Sequence, residues 1–392
     1  MTATPARHAS RRLAMWALLL LLIAAVIEGG AFVVVRLVLT PNAGFLLWQP
    51  DLDAVRRSWV DAAKVDDELG WPSPAEAFAP PRDATGAKVN PDFPADARAC
   101  ASIYGDSFVW GDDVALADGW VEQLSRKLGC RVANFGVSGY GTDQAFLRFR
   151  RVTTDAAPVA LLGIFPENVM RNVNQYRAFI GFAPHPSWLK GRFVLDPPGR
   201  LQWIARPQLD LDAFVALHRA PATVLPREYL LPDTRDGPVT VRFPYALTLA
   251  RVALMPRVRV RLTGRPSWGD FFTPDHPSGA LQLTAAIAEA FVREAERRGR
   301  RALVIMLPGA SSLRAHATFG AFEYAPLVAM LTARGVDVFD PGPGLLAATA
   351  GRDYCALYAA PATCAGHFGL AGSTLMAELV AAELRRRALT GP

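Results

Sequence analysis

Ser107 closes the tripeptide Gly105-Asp106-Ser107, directly after an apolar run, Ala101 to Tyr104, that reads as a short buried strand. A hydroxyl just beyond a strand's carboxyl end lies where open α/β sheets place their ligands. The backbone N–H groups of such a turn can also hold a developing oxyanion. Three further stretches end in the same way. NFGVSGYGTDQ sets glycine-rich backbone, Asn134 to Gly141, at the end of a strand beginning near Cys130. Phe165-Pro166-Glu167-Asn168 closes the apolar run PVALLGIF, and His367 stands just ahead of the last predicted helix. Brought together, these groups could do acyl chemistry: an imidazole takes the serine proton while the oxygen attacks an ester carbonyl.

Each group has rivals. His276, in Asp275-His276-Pro277, is the competing base, but it precedes two predicted strands and is better placed to line a substrate site. Ser138 also follows a strand, yet GVSGYG is not the GxSxG elbow of another hydrolase class. His185, His218 and His316 are scattered singly and read as satisfied or surface histidines. Asp106 and Arg171 adjoin the strand-end residues and are candidate substrate contacts, with Asn172 and Asn174 as loop residues beside them.

The elements that must position these residues alternate. A helix near Trp120–Leu128 follows the strand into Ser107, then come the strand CRVANFGV, a helix near Asp143–Arg151 and the strand PVALLGIF. After a long break the pattern resumes with a helix, Gly279 to Arg297, the strand ALVIMLP, a helix near Phe322–Arg334, the strand VDVFD and a final helix, Leu370 to Arg387. Such alternation predicts an α/β fold whose parallel sheet carries helices on both faces, with all strand ends on one edge. The break, 172–277, is rich in Pro, Gly and aromatic residues and holds two amphipathic stretches, Leu211–His218 and Tyr245–Met255. It is expected to be a long insertion at the carboxyl edge of the sheet.

With these pieces in this order, the chain resembles the SGNH (GDSL-type) hydrolases across roughly residues 99–388. The resemblance implies a three-layer flavodoxin-like sheet and transfer of acyl groups from esters to water or another hydroxyl. It implies Ser107 as nucleophile, Gly139 and Asn168 as oxyanion donors beside the serine's own N–H, and His367 as general base, with no metal or organic cofactor. Two departures stand out. Val169 follows Asn168 where the family usually has Asp, and Cys364 occupies the position, three residues before the histidine, of the family's triad Asp. A backbone carbonyl, or Asp353 folded back by a Cys355–Cys364 loop, is the expected substitute that fixes the His367 tautomer.

The amino terminus bounds where this chemistry takes place. Arg7, His8, Arg11 and Arg12 precede an apolar run from Leu13 to Val35 whose only charge is Glu28. This is long enough to span a bilayer, and the basic flank predicts a cytoplasmic tail (1–12), an anchor (13–35), a connector (36–98) and an exported SGNH-like domain (99–392), periplasmic or extracellular. The rival is a cleaved signal peptide with Leu13–Ile27 as its apolar region. The four cysteines suit an oxidising compartment. Cys355 and Cys364 are the first candidate disulfide, whereas Cys100 and Cys130 are either a second pair or small buried residues. No Cys-x-x-Cys spacing suggests a structural zinc. The net charge of +6 is dispersed arginine, not the basic stripe of a nucleic-acid binder. The expected partners are the membrane and an acylated glycan or small ester; the alternative is a silent SGNH-like module that binds a glycan or a protein.

Overall fold

In the computed structural model, which describes residues 5–40, 44–57, 59, 65–349 and 353–389, the apolar run of the expected central strand is buried at every position. Val159–Ile164 has no polar residue and no exposed side, as a strand covered on both faces requires. It is β3 of a parallel sheet with β1 (Ala99–Tyr104), β2 (Arg131–Asn134), β4 (Arg301–Met306) and β5 (Val338–Phe339), in the order β2-β1-β3-β4-β5. Ile103 stands opposite Asn134 on one side and Leu161 on the other. Ile164 stands opposite Met306. After β1 the chain steps to β2, then crosses back and builds outward through β3, β4 and β5. Open α/β sheets bind their ligands at such a reversal, beyond the carboxyl ends here of β1 and β3, the strands that lead into Ser107 and Asn168.

The helices form where the sequence carries an apolar stripe. Trp120–Leu128 buries Trp120, Val121 and Leu124, carries Arg126 and Lys127 in its last turn and stops at the left-handed Gly129. It packs against Leu370–Arg386, while Thr142–Arg151 packs against Ala280–Arg297. Two differences from the sequence reading concern short elements. A helix at Ala310–Phe319 precedes the helix Ala325–Ala333. His367 lies on an antiparallel hairpin, β6 (Tyr358–Ala360) and β7 (Ala365–Phe368), and not in a loop. A short helix, Leu52–Arg57, lies within the expected connector, with 58 and 60–64 outside the described residues.

Both cysteine pairs are joined, Cys355 to Cys364 and Cys100 to Cys130. Leu69, Trp71 and Ala87, from the expected connector, belong to the same buried cluster as the sheet. The stretch 172–277 holds a hairpin, Arg192–Leu195 with Leu201–Ile204, and both amphipathic stretches are helical, as Leu211–Arg219 and Tyr245–Leu254.

At the amino terminus an α-helix, Pro5–Val33, continues as a π-helical segment, Val34–Leu39. Ser10–Leu39 is long and apolar enough to cross a membrane by length and composition.

Candidate active site

The turn after β1 is built by close approach. A Cβ on Gly105 would lie 2.4 Å from a Val109 methyl and 3.0 Å from the Gly163 carbonyl, so only glycine lets the next turn settle onto the sheet. Asp106 caps that turn by accepting from the Phe108 N–H at 2.9 Å, and Ser107 begins it. Asp106 is fully buried, which raises its carboxyl above the ordinary range against the pull of Arg171, whose Nη1 lies 3.5 Å away.

The hairpin β6–β7 brings His367 to this turn. Its Nε2 lies 2.8 Å from Ser107 Oγ, and Ser107 itself is only 5 % exposed. The Phe108 ring supports the imidazole with centroids 4.8 Å apart. His367 Nδ1 lies 2.9 Å from Asp113 Oδ2, which also accepts the His367 backbone N–H at 3.1 Å. These bonds, the side-chain one first, hold the Asp113 carboxyl below its ordinary value.

The carboxylate beside His367 therefore comes from the serine's own loop. Neither expected substitute is used: Asp353 accepts from the Cys355 N–H and caps the turn Tyr354–Leu357. Asp113 reaches the ring from a left-handed conformation, φ 69°, which Asp tolerates better than most residues. The signal for it was local, a pair of aspartates straight after Gly111. The pair divides its work, since Asp112 accepts from the Ser138 hydroxyl at 2.9 Å.

The other strand-end residues approach the same edge. Gly139 has φ 80°, and the rings of Phe182, Trp71 and Trp188 lie 3.5–3.6 Å from where its Cβ would stand. Asn168 is 1 % exposed, and its carboxamide makes no hydrogen bond of good geometry, although it lies close enough to Asp106 to help hold that carboxyl's value down.

The three expected substrate contacts are all buried. Asp106 is a cap. Arg171 is spent on Glu167, at 3.1 Å, and on the Tyr140 carbonyl, at 3.0 Å. His276 bonds Ser278 and lies among Asp236, Phe271 and Tyr229, touching none of the four strand-end residues. Asn172 and Asn174 are also committed inward, to Thr284 and Glu228.

Residues 65–98, part of the expected connector, brace the site from outside the sheet. Lys88 Nζ donates to the Trp110 carbonyl at 2.7 Å and pairs with buried Glu122. Trp71 Nε1 donates to the Ser138 carbonyl at 2.8 Å, and Tyr140 donates back to the Trp71 carbonyl at 2.6 Å. Between this brace and Ser138 lies a cavity of about 660 Å³ lined by Trp71, Trp110, Trp188, Arg82 and His185. A larger cavity, about 1130 Å³, lies beside Ala280–Arg297 and contains none of the strand-end residues.

No family model and no curated protein matches the chain. Among solved structures, the chain is similar to a protein from Desulfitobacterium hafniense DCB-2 assigned to the G-D-S-L family of lipolytic proteins. The match has 11% identity and a TM-score of 0.36, and covers 72% of this chain and 97% of that one. A second structure aligns at 15% identity and a TM-score of 0.37, covering 73% of this chain and 95% of its own. With both TM-scores below 0.5, the functional reading rests on the geometry of the site.

Proposed function

We propose that the protein is a membrane-anchored serine hydrolase or O-acyltransferase of the SGNH type, acting on acyl esters at the outer face of the membrane. The observation that carries this is the chain of contacts from Ser107 through His367 to Asp113, at 2.8 and 2.9 Å. Asp113 holds the Nδ1–H tautomer, which leaves Nε2 free to take the Ser107 proton. Ser107 Oγ bonds to the ester carbonyl carbon, and the carbonyl electrons move onto its oxygen. The N–H groups of Ser107 and Gly139 and the side-chain amide of Asn168 stabilise that oxyanion. On collapse the carbon–oxygen bond to the alcohol breaks and His367 returns the proton to the leaving oxygen. Water or a second hydroxyl then removes the acyl group from Ser107 by the same steps in reverse.

The flavodoxin-like strand order supports the SGNH assignment, since the strands on either side of its reversal lead into Ser107 and Asn168. The tryptophan-lined cavity beside Gly139 supports a glycan as the acyl carrier, because flat aromatic faces suit the apolar faces of sugar rings. The contact of Asp113 with His367 favours the enzyme over the silent binding module, because the imidazole has the carboxylate partner that position 364 lacks.

The test is fluorophosphonate labelling of the full chain in detergent, with 4-nitrophenyl acetate turnover alongside. Wild type is expected to label, and Ser107→Ala and His367→Ala to lose both label and turnover. A folded wild type that neither labels nor turns over the ester defeats the hydrolase reading and returns the binding module to first place.

A further inference from the structure

The helices Tyr245–Leu254 and Pro256–Leu262 leave large apolar side chains facing outward. Phe243 is 71 %, Leu247 53 %, Leu254 70 % and Leu262 79 % exposed. Several large apolar side chains this exposed within residues 243–262 point to an interaction surface.

Three observations say what covers it. First, the surface is joined to the amino-terminal helix. Glu28 accepts from the Tyr245 N–H at 2.6 Å and the Ala246 N–H at 3.3 Å, and the Phe32 and Tyr245 rings lie 5.0 Å apart. A small core of Val35, Phe45, Val239, Val241, Val252 and Met255 locks the two together. Val33 and, on the π-helical continuation, Leu37 and Val38 are exposed apolar residues as well.

Second, the depth is right for a bilayer interface. A hydrocarbon core spanned by about 20 residues from Leu13 ends near Phe32. Glu28, and with it the start of the Tyr245 helix, then lies about 6 Å inside that boundary, where interfacial helices bury their apolar faces. The carboxylate meets the positive end of that helix, which eases its presence at this depth.

Third, arginines rim the surface. Arg242 and Arg251 share the single carboxylate of Asp233, and Arg259 is exposed. That surplus of positive charge suits anionic headgroups.

We propose that the surface of Phe243, Leu247, Leu254 and Leu262 is embedded in the outer leaflet, with lipid as its occupant. The domain is then held against the bilayer at a fixed tilt and does not swing on a tether. This rests on the anchored reading of the amino-terminal helix, so the test carries a control for that reading.

Every native cysteine is in a disulfide, so an introduced cysteine takes a thiol-reactive NBD label selectively. Full-length Leu254→Cys, Leu262→Cys, Val26→Cys (anchor) and Glu378→Cys (final helix) would be labelled and reconstituted into phosphatidylcholine vesicles containing phosphatidylglycerol. Labels at 254 and 262 are expected to lose most of their emission to doxyl-labelled lipid, as at 26, and little to iodide, with the reverse at 378. If 26 reports lipid while 254 and 262 respond to iodide, the surface is solvated and the proposal is wrong. If they respond to neither quencher, protein covers the surface and the proposal is equally wrong. If 26 itself fails to report lipid, the anchor reading fails and takes the proposal with it.

Discussion

At the scale of single residues the decisive contact is Asp113 with His367, which makes a sharp prediction. Asp113→Asn keeps the shape of the side chain but favours the wrong imidazole tautomer. It is expected to lower kcat on a soluble ester by up to about 10⁴-fold. Asp112→Asn, which removes a like charge one residue away, should change it little because Asp112 serves Ser138. Stability at different pH values offers a second readout. The folded carboxyl of Asp113 is held below its ordinary value. Its contribution is therefore fully present above the unfolded value of about 3.9 and disappears as pH falls through the lower folded value. Urea unfolding should show a gap between wild type and Asp113→Asn at neutral pH that closes as pH falls below about 4. A gap that does not close in acid would contradict the assignment. Ser107, Gly139, Asn168 and His367 were legible because each ends or adjoins a predicted element. Asp113 was not legible as a partner, because a left-handed aspartate and a histidine 254 positions away meet only through tertiary folding.

At the scale of elements the alternation of strands and helices was readable wherever strands are fully apolar, as in Val159–Ile164, or helices carry a clear stripe. The hairpin that presents His367 was not, since its strands are only three and four residues long and its stability comes from elsewhere. One source is the Cys355–Cys364 bridge, with a sequence separation of 9. On loop entropy it contributes about 2–3 kcal/mol, against about 3–4 kcal/mol for Cys100–Cys130 with its separation of 30. The longer loop, however, closes at the start of β1, the far end of the strand from Ser107. The two bridges should therefore separate stability from function. Cys100→Ser/Cys130→Ser is expected to lower Tm more while leaving kcat near wild type. Cys355→Ser/Cys364→Ser should lower Tm less and kcat clearly, because the freed hairpin no longer holds Nε2 against Ser107. Equal effects on kcat would show that the hairpin is positioned by packing alone, through Phe108 and Tyr358.

At the scale of the whole molecule the sequence showed Glu28 as a cost within an apolar segment and gave no hint of its destination, 217 residues away at the start of another helix. A charged residue in such a segment is tolerated where it has a partner, and here the partners are the amides of Tyr245 and Ala246. Glu28→Leu separates the two roles. It removes an insertion penalty of about 2.5–3.5 kcal/mol, so the chain should remain in the membrane at least as well. It also removes the cap of the Tyr245 helix, a loss of about 0.5–2 kcal/mol. Each 1.4 kcal/mol is about a tenfold change in an opening equilibrium, so exchange of the amides around Tyr245–Leu254 should quicken by about twofold to about 30-fold. Amides of Val159–Ile164 should exchange as before, because distant sites are energetically independent. Turnover of a soluble ester should be unchanged, while an ester carried on a membrane-bound glycan should be processed more slowly as the domain loses its fixed attitude. Hydrogen exchange on protein in nanodiscs reads the first effect and paired assays the second. If the helix amides keep their protection in Glu28→Leu, the Val35–Met255 core alone joins the domain to the amino-terminal helix, and Glu28 is no more than a tolerated charge.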